Sequence, residues 1–124
     1  MIEHISVPVK DFKKAKKFYT AALKPLKYKI KYEFPGAVGF MADGHTSFWI
    51  VKRKHSEKLH VAFLAKSKKM VHDFHSAAIA AEGKDHGQPG PRKDYSPDYY
   101  ASFILDPEGN NIEAVYYIRQ RGVM

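Results

Sequence analysis

The sequence predicts an α+β fold made of two tandem βαβββ modules, and the main observation behind this prediction is an internal repeat. A short apolar strand that begins with His4 leads into an amphipathic helical segment, and a strand that begins with His60 leads into another. Three strand-like runs follow each helical segment. A repeat of this length within 124 residues predicts two equivalent units related by pseudo-symmetry. We therefore expect one domain over 1–124, with repeat halves at about 1–55 and 56–124.

The first module is predicted from hydrophobic periodicity and capping residues. Residues 2–9 alternate as a strand does, with apolar residues on one face and His4 on the other. Asp11 is a favourable N-cap for the helix that follows, and Pro25 ends that helix. Turn residues then separate three further strands, which we place over residues 28–34, 37–42 and 46–52.

The second module repeats this plan. A strand over 59–65 precedes Ser67, which is expected to cap a helix running to about residue 81. A strand begins near Lys84, and we expect a long, partly irregular loop over 87–97 because that stretch holds three prolines and two glycines. The remaining strands are placed over 99–105 and 111–118 with a turn at 106–109, and the tail over 119–124 is expected to be loosely ordered.

The uncovered faces of the two sheets form the expected site. In a βαβββ unit the helix covers one face of the sheet, so two such units can curl their open faces around a shared cavity. His4 and His60 lie opposite the apolar residues that pack on the helices, and we therefore expect both imidazoles to face this cavity. A cavity of this kind is the default candidate for a binding site.

Glu113 is the third candidate residue for this site. It lies within an otherwise apolar strand, where a carboxylate is costly to bury unless it is paired or bound to a metal. Together, His4, His60 and Glu113 provide two imidazoles and one carboxylate, a facial ligand set that leaves positions open for substrate or water. Fe(II), Mn(II), Co(II), Ni(II) and Zn(II) all suit this donor set.

Aromatic and basic residues near the irregular loop are candidates for substrate binding. Arg92, Tyr95, Tyr99 and Tyr100 offer a guanidinium and hydroxyls to an oxygenated or anionic substrate, although aromatic packing in the core or in a dimer explains them at least as well. The other histidines fall on turns or helices and are expected at the surface: His45, His55, His72, His75 and His86.

The composition excludes several classes of protein. The chain has no cysteine, which excludes disulfides, zinc–thiolate sites and thiol nucleophiles. The net charge of +8 comes mainly from lysines, many on the predicted outer helix faces, and no nucleic-acid-binding motif accompanies them. No apolar run is long enough to span a bilayer and no secretory signal is visible. We therefore expect a cytoplasmic protein without nucleic-acid or membrane partners.

Two segments of the sequence resemble those of a known family. The chain resembles the vicinal oxygen chelate superfamily, which includes glyoxalase I, bleomycin and fosfomycin resistance proteins and extradiol dioxygenases. The most specific match is the Asp-Pro-Glu-Gly-Asn-Asn turn over 106–111 with the following Glu113, and the opening over 2–11 also matches. The resemblance implies two modules curled around a cavity, with metal ligands at the positions held here by His4, Trp49, His60 and Glu113.

Trp49 departs from the pattern of the family. In glyoxalase I the corresponding position holds a carboxylate, whereas an indole cannot ligate a metal. The remaining set of two histidines and one glutamate is the set found in the extradiol dioxygenase and fosfomycin resistance branches. Trp49 is then either a core residue or, if it faces the cavity as Glu113 does, an apolar or stacking wall for a substrate.

The resemblance implies a small divalent-metal-dependent enzyme that acts on a small oxygenated substrate through metal chelation. Glu113 is then the candidate base, and the reaction stays open between a lyase or isomerase, a thiol transfer and a ring-opening dioxygenation. The alternative is a non-catalytic protein that binds a small molecule such as an antibiotic or toxin. Small members of this family are commonly dimers, so we expect a homodimer.

Overall fold

The structure is a computed structural model that describes residues 2–55 and 57–118, so the tail predicted over 119–124 lies outside the described residues. The elements in chain order are β1 (Ile5–Val9), α1 (Phe12–Ala22), β2 (Lys29–Phe34), β3 (Ala37–Ala42), β4 (His45–Lys52), β5 (His60–Leu64), α2 (Lys68–Ala80), β6 (Lys84–Pro91), β7 (Tyr99–Leu105) and β8 (Asn111–Tyr117). No helix in the described part of the chain is both long and apolar enough to cross a membrane.

The two modules have the same sheet topology. The first four-stranded sheet has the order β1-β4-β3-β2, and the second has the equivalent order β5-β8-β7-β6. In each sheet the first and last strands of the module run parallel, and the remaining pairs are antiparallel. The predicted α+β fold of two βαβββ modules is therefore confirmed, and the two sheets do not close on each other.

Both helices begin at the predicted capping residues. The Asp11 side chain accepts a hydrogen bond from the backbone N–H of Lys14 at 3.1 Å, and the Ser67 hydroxyl accepts one from Met70 at the same distance. Pro25 lies in a short 3-10 turn directly after α1, where it cannot continue the helix. Each helix turns its apolar stripe inward, so that Phe18 of α1 and Phe74 of α2 are fully buried.

The segment over 87–97 corrects one prediction from the sequence. We predicted a long, partly irregular loop there, but β6 continues through Gly87 and Gly90 to Pro91, and only residues 92–98 lie between β6 and β7. Its pairing with β7 shifts register on both sides of Gly87, which marks β-bulges. Proline is tolerated here because β6 is an edge strand, where a missing backbone donor breaks no central ladder.

The two modules share one cluster of buried side chains. The rings of Phe48 in the first module and Phe63 in the second meet edge to face, with centroids 5.0 Å apart. Gly83, after α2, allows a close approach between modules, because a Cβ there would lie 2.7 Å from both Phe18 and Ile104 side-chain carbons. The helix-covered faces of both sheets therefore meet in a common core.

A buried carboxylate also joins the two modules. Asp106, in the turn between β7 and β8, accepts hydrogen bonds from the hydroxyl of Tyr19 on α1 and from the backbone N–H groups of Glu108 and Asn110, the latter two at 2.8 Å. The Asn110 amide donates to the same carboxylate at 2.9 Å. Asp106 is thus buried with its acceptors satisfied, as a charged interior group requires.

Two neighbours of Asp106 extend these links. The Glu108 carboxylate accepts a hydrogen bond from the backbone N–H of Asp11 at the start of α1, and the Asn110 side-chain oxygen accepts one from Leu59 just before β5, both at 2.8 Å. The turn over 106–111 therefore attaches to α1 and to the start of β5.

His75 corrects a second prediction. We expected it at the surface, but it is buried on α2, and its Nε2 lies 2.8 Å from a carboxylate oxygen of Asp85 on β6. This hydrogen bond is the main reason why the pKa of Asp85 lies below its ordinary value. The helical face that points at β6 therefore carries a polar contact as well as apolar ones.

We expect Tyr19→Phe to destabilise the protein by about 1.5–3 kcal/mol, because it removes a buried hydrogen bond to a charged group. Urea unfolding measures the change, and Tyr28→Phe is the matched control, since the Tyr28 hydroxyl forms no hydrogen bond among the described residues. Equal unfolding midpoints for the two variants would show that the link to Asp106 contributes nothing.

Asp85→Asn should lower the melting temperature at neutral pH. A depressed pKa in the folded state stabilises the protein above the unfolded-state value of about 4 and ceases to do so as pH falls through the folded-state value. The gap in melting temperature between wild type and variant should therefore close below about pH 4. Asp94→Asn, an exposed loop substitution, should show no such pH-dependent gap.

Candidate functional site

Trp49 and Glu113 occupy the same position in their two modules. Trp49 pairs with Ser6 across the parallel β1–β4 ladder, and Glu113 pairs with Ala62 across the parallel β5–β8 ladder. The residues on either side of each are buried against the helices, so both side chains lie on the open face of their sheet. Trp49 and Glu113 are therefore equivalent in strand register as well as in their place within the sequence repeat.

Glu113 is the most unusual polar residue of the open face. Its side chain is only 2% exposed, with one carboxylate oxygen 2.8 Å from Nε2 of His60 and the other accepting a hydrogen bond from the Tyr99 hydroxyl. Burial, and then the hydrogen bond and charge of Glu113, raise the pKa of Tyr99 well above its ordinary value. Tyr99 therefore keeps its proton and serves as a donor.

His60 connects this buried carboxylate to the protein surface. Its side chain is 54% exposed, although it contacts a carboxylate that is almost fully enclosed. Its ring also packs on Phe103 of β7, with centroids 6.3 Å apart. The row Tyr99, Glu113 and His60 thus presents one accessible imidazole whose orientation is held by a carboxylate and a phenol.

Arg92 lies beside this row and is held mainly by its own strand. Its guanidinium carbon is 5.3 Å from the centroid of Phe103, and its N–H groups donate to the carbonyls of Gly90 at 3.0 Å and Gln88 at 2.7 Å. In the structure these groups fix the bulged end of β6. Substrate binding by Arg92, which the sequence predicts, would have to use its remaining donors.

The three tyrosines of this region face different ways. Tyr95 is exposed and its ring meets that of Tyr99 edge to face at 5.0 Å. The Tyr100 hydroxyl lies 2.6 Å from Nε2 of His72 on α2, so Tyr100 is on the helix side of the sheet. Tyr99 is the tyrosine that reaches Glu113. Strand alternation was the available signal, because Tyr99 has the same parity as Phe103, the β7 partner of Glu113.

His4 lies just before β1, in the first module, and is half exposed. Its Nδ1 contacts the Glu3 carboxylate, and the other oxygen of that carboxylate is 3.1 Å from Nε2 of His45. The His4 hydrogen bond is the main reason why the pKa of Glu3 is below its ordinary value. Since a carboxylate only accepts, Nδ1 carries the proton and Nε2 is left available.

The predicted metal ligands are only partly brought together. His60 and Glu113 are in contact, but within residues 2–55 and 57–118 no three His, Asp or Glu side chains converge closely enough to hold a metal ion. His4 lines a pocket on the first sheet, whereas His60 lines a different pocket beside β5. The donor types fit a divalent ion, and the full set of His4, His60 and Glu113 stays a prediction.

The open face of the first sheet carries a group of aromatic rings that the sequence reasoning missed, apart from Trp49. We call Tyr32, Phe34 and Trp49 the aromatic platform. Their ring planes are within 5–7° of parallel, and their centroids are 5.8–6.5 Å apart. A pocket of about 450 Å³ adjoins the platform, and its lining includes His4 and Lys31.

Comparisons with known proteins agree with this architecture. Residues 1–114 match the family model of the Glyoxalase/Bleomycin resistance protein/Dioxygenase superfamily. The chain belongs to this superfamily. No curated protein matches it.

Several solved structures of the superfamily have the same fold. A glyoxalase/bleomycin resistance protein from Albidiferax ferrireducens T118 superposes with a TM-score of 0.81 at 27% identity, covering 92% of this chain and 97% of that one. A glyoxalase/bleomycin resistance protein/dioxygenase family enzyme from Burkholderia phytofirmans PsJN gives 0.72 at 17% identity, with 94% and 98% coverage. A glyoxalase-related enzyme from Fulvimarina pelagi gives 0.72 at 13% identity, with 94% and 87% coverage. At these last two identities the likeness shows the fold alone.

Tyr99→Phe tests the support of the buried carboxylate. The variant leaves one oxygen of Glu113 without its donor, and we expect a loss of about 1–3 kcal/mol in the free energy of unfolding. Tyr95→Phe removes a hydroxyl from the neighbouring exposed ring and should leave the free energy of unfolding unchanged. A loss shared equally by both variants would argue against a specific role of the Tyr99 hydroxyl.

Proposed function

We propose that this member of the superfamily is a divalent-metal-dependent enzyme that acts on a small oxygenated substrate. The observation that carries the proposal is Glu113, a carboxylate enclosed in an apolar strand and held between Tyr99 and the half-exposed His60. Burying a carboxylate at an open sheet face is costly, and packing alone gives no reason to keep one there. A role in metal ligation or proton transfer gives a reason to keep a carboxylate at this position.

In this proposal the metal ligands are His4, His60 and Glu113. Each histidine lies on the exposed side of its own module. In a dimer in which the first sheet of one copy faces the second sheet of the other, His4 of one copy would complete the site formed by His60 and Glu113 of the other. Fe, Mn, Co, Ni or Zn suits this set. When bound, such an ion binds substrate oxygens and stabilises negative charge that develops on them.

The surrounding residues then have defined tasks. The Tyr99 hydroxyl orients the Glu113 carboxylate, and Glu3 accepts the His4 Nδ1–H so that Nε2 points its lone pair outward. Glu113 is the candidate base. The reaction stays open between a lyase or isomerase reaction, a thiol transfer and a ring-opening dioxygenation.

A non-catalytic protein that binds an antibiotic or toxin is the second candidate function. The aromatic platform favours it, because stacking on Tyr32, Phe34 and Trp49 needs neither a metal nor a base. Under this alternative His60→Ala would leave ligand affinity unchanged.

Metal binding is tested first by thermal unfolding. The chelator-treated protein should gain several degrees in melting temperature on addition of Mn(II), Ni(II), Zn(II) or Fe(II), because an ion that binds only the folded state stabilises it. His4→Ala and His60→Ala should each abolish the gain, whereas the exposed control His86→Ala should keep it. No gain with any of the four ions in wild type would refute the metal proposal.

A mixing experiment tests whether two copies build each site. His4→Ala and His60→Ala chains, unfolded and refolded together, should regain about a quarter of the wild-type bound metal, since half of the dimers are mixed and each mixed dimer has one intact site of two. Each variant refolded alone is the control. If the mixture binds no metal while wild type does, all the ligands come from one chain.

A further inference from the structure

We infer that the open face of the first sheet binds a planar aromatic anion, which is seated on the aromatic platform with its charged group toward Lys31. This inference deepens the proposed function by naming the substrate class. It rests on the proposed function only for turnover, because stacking itself requires no metal.

The parallel arrangement of the platform sets it apart from the packing elsewhere in the protein. Every other aromatic pair in the described part of the chain is inclined by 39° or more, as core packing favours. Tyr32, Phe34 and Trp49 instead keep their planes within 5–7° of one another. Parallel rings offer a planar ligand a surface with a single orientation.

Gly39 makes room for this arrangement. It is the β3 residue in register between Tyr32 on β2 and Trp49 on β4. A Cβ at Gly39 would lie 2.8 Å from two carbons of the indole, which is closer than real Cβ atoms approach. Any other residue at this position would therefore displace the indole ring from the sheet, and the three rings would lose their parallel arrangement.

The platform remains open to a ligand. Tyr32 is 45% exposed and Phe34 is 54% exposed, although both lie beside an aromatic neighbour that partly covers them. Large apolar side chains that stay exposed together are typical of binding surfaces. The adjoining pocket, at about 450 Å³, has the size of a site for a small molecule of one or two rings.

The charge around the pocket favours an anion. Lys31 lines it, its Nζ lies 6.0 Å from the centroid of the Tyr32 ring, and it makes no ion pair with a described residue. Among the described residues that line the pocket, the one carboxylate is that of Glu3, and it is already engaged by His4 and His45. A carboxylate attached to a stacked ring would therefore meet an ammonium that no carboxylate within residues 2–55 and 57–118 already pairs.

The test uses 2-naphthoate as the probe and Trp49 as the reporter. Trp49 is the only tryptophan, so the indole N–H gives a single, assigned NMR signal. In chelator-treated protein, 2-naphthoate should shift this signal saturably and release heat in calorimetry. Cyclohexanecarboxylate, an anion without a planar ring, should do neither, and neutral 2-naphthalenemethanol should bind about threefold more weakly.

Variants locate the binding. Tyr32→Leu and Phe34→Leu should each weaken 2-naphthoate binding by about threefold to tenfold, and Gly39→Ala should weaken it by at least as much. Lys31→Met should reduce the affinity for 2-naphthoate to that for 2-naphthalenemethanol. Ile79→Ala, which removes an exposed apolar side chain from α2 of the other module, is the control and should leave the affinity unchanged.

Four results would overturn the inference. They are equal binding of cyclohexanecarboxylate, an unchanged indole signal at saturating 2-naphthoate, equal weakening by Ile79→Ala and Tyr32→Leu, and an indole signal that responds to dilution of the protein but not to the probe. The last would show that a second copy covers the platform. Metal-induced stabilisation without probe binding refutes the platform alone, and probe binding without metal-induced stabilisation refutes the metal site alone.

Discussion

The buried carboxylate of Asp106 is the interaction on which the arrangement of the two modules depends. It accepts hydrogen bonds from Tyr19 in the first module and from the backbone and side chain of its own turn in the second. A buried charge with all acceptors used is strongly directional, so it fixes how the β7–β8 turn meets α1. Glu108 and Asn110 then bind the starts of α1 and β5, and this geometry places both open faces.

The two modules keep one backbone plan and use it for different chemistry. Trp49 and Glu113 occupy the same register, yet one lies on a glycine and stacks with other rings, while the other is enclosed and hydrogen-bonded. The neighbouring strand decides this difference. Gly39 on β3 leaves room for the indole of Trp49, whereas Phe103 on β7 covers the carboxylate of Glu113. Divergence at two pairs of equivalent positions thus separates an apolar surface from a polar one without altering the sheets.

Charge placement follows the same division. On the second sheet, Glu113 is shielded and reaches solvent only through His60. On the first sheet, His4, Glu3 and His45 form an exposed network in which the carboxylate is shared by two imidazoles. A ligand between two such faces would meet an aromatic, cationic surface on one side and a histidine–carboxylate pair on the other. This combination suits a molecule that has a planar apolar part and an oxygenated part.

The sequence by itself determined the elements, their order and the two-module plan, because hydrophobic period, helix caps and turn residues act over a few neighbouring positions. It also identified His60 and Glu113 as polar residues of an open face, since strand alternation is local. Only the tertiary structure decided which side chains meet across strands: that Tyr99 and not Tyr100 supports Glu113, that β6 extends through its glycines, and that Tyr32 and Phe34 join Trp49 over Gly39. These contacts depend on register and bulges between segments distant in sequence, and no local pattern specifies them.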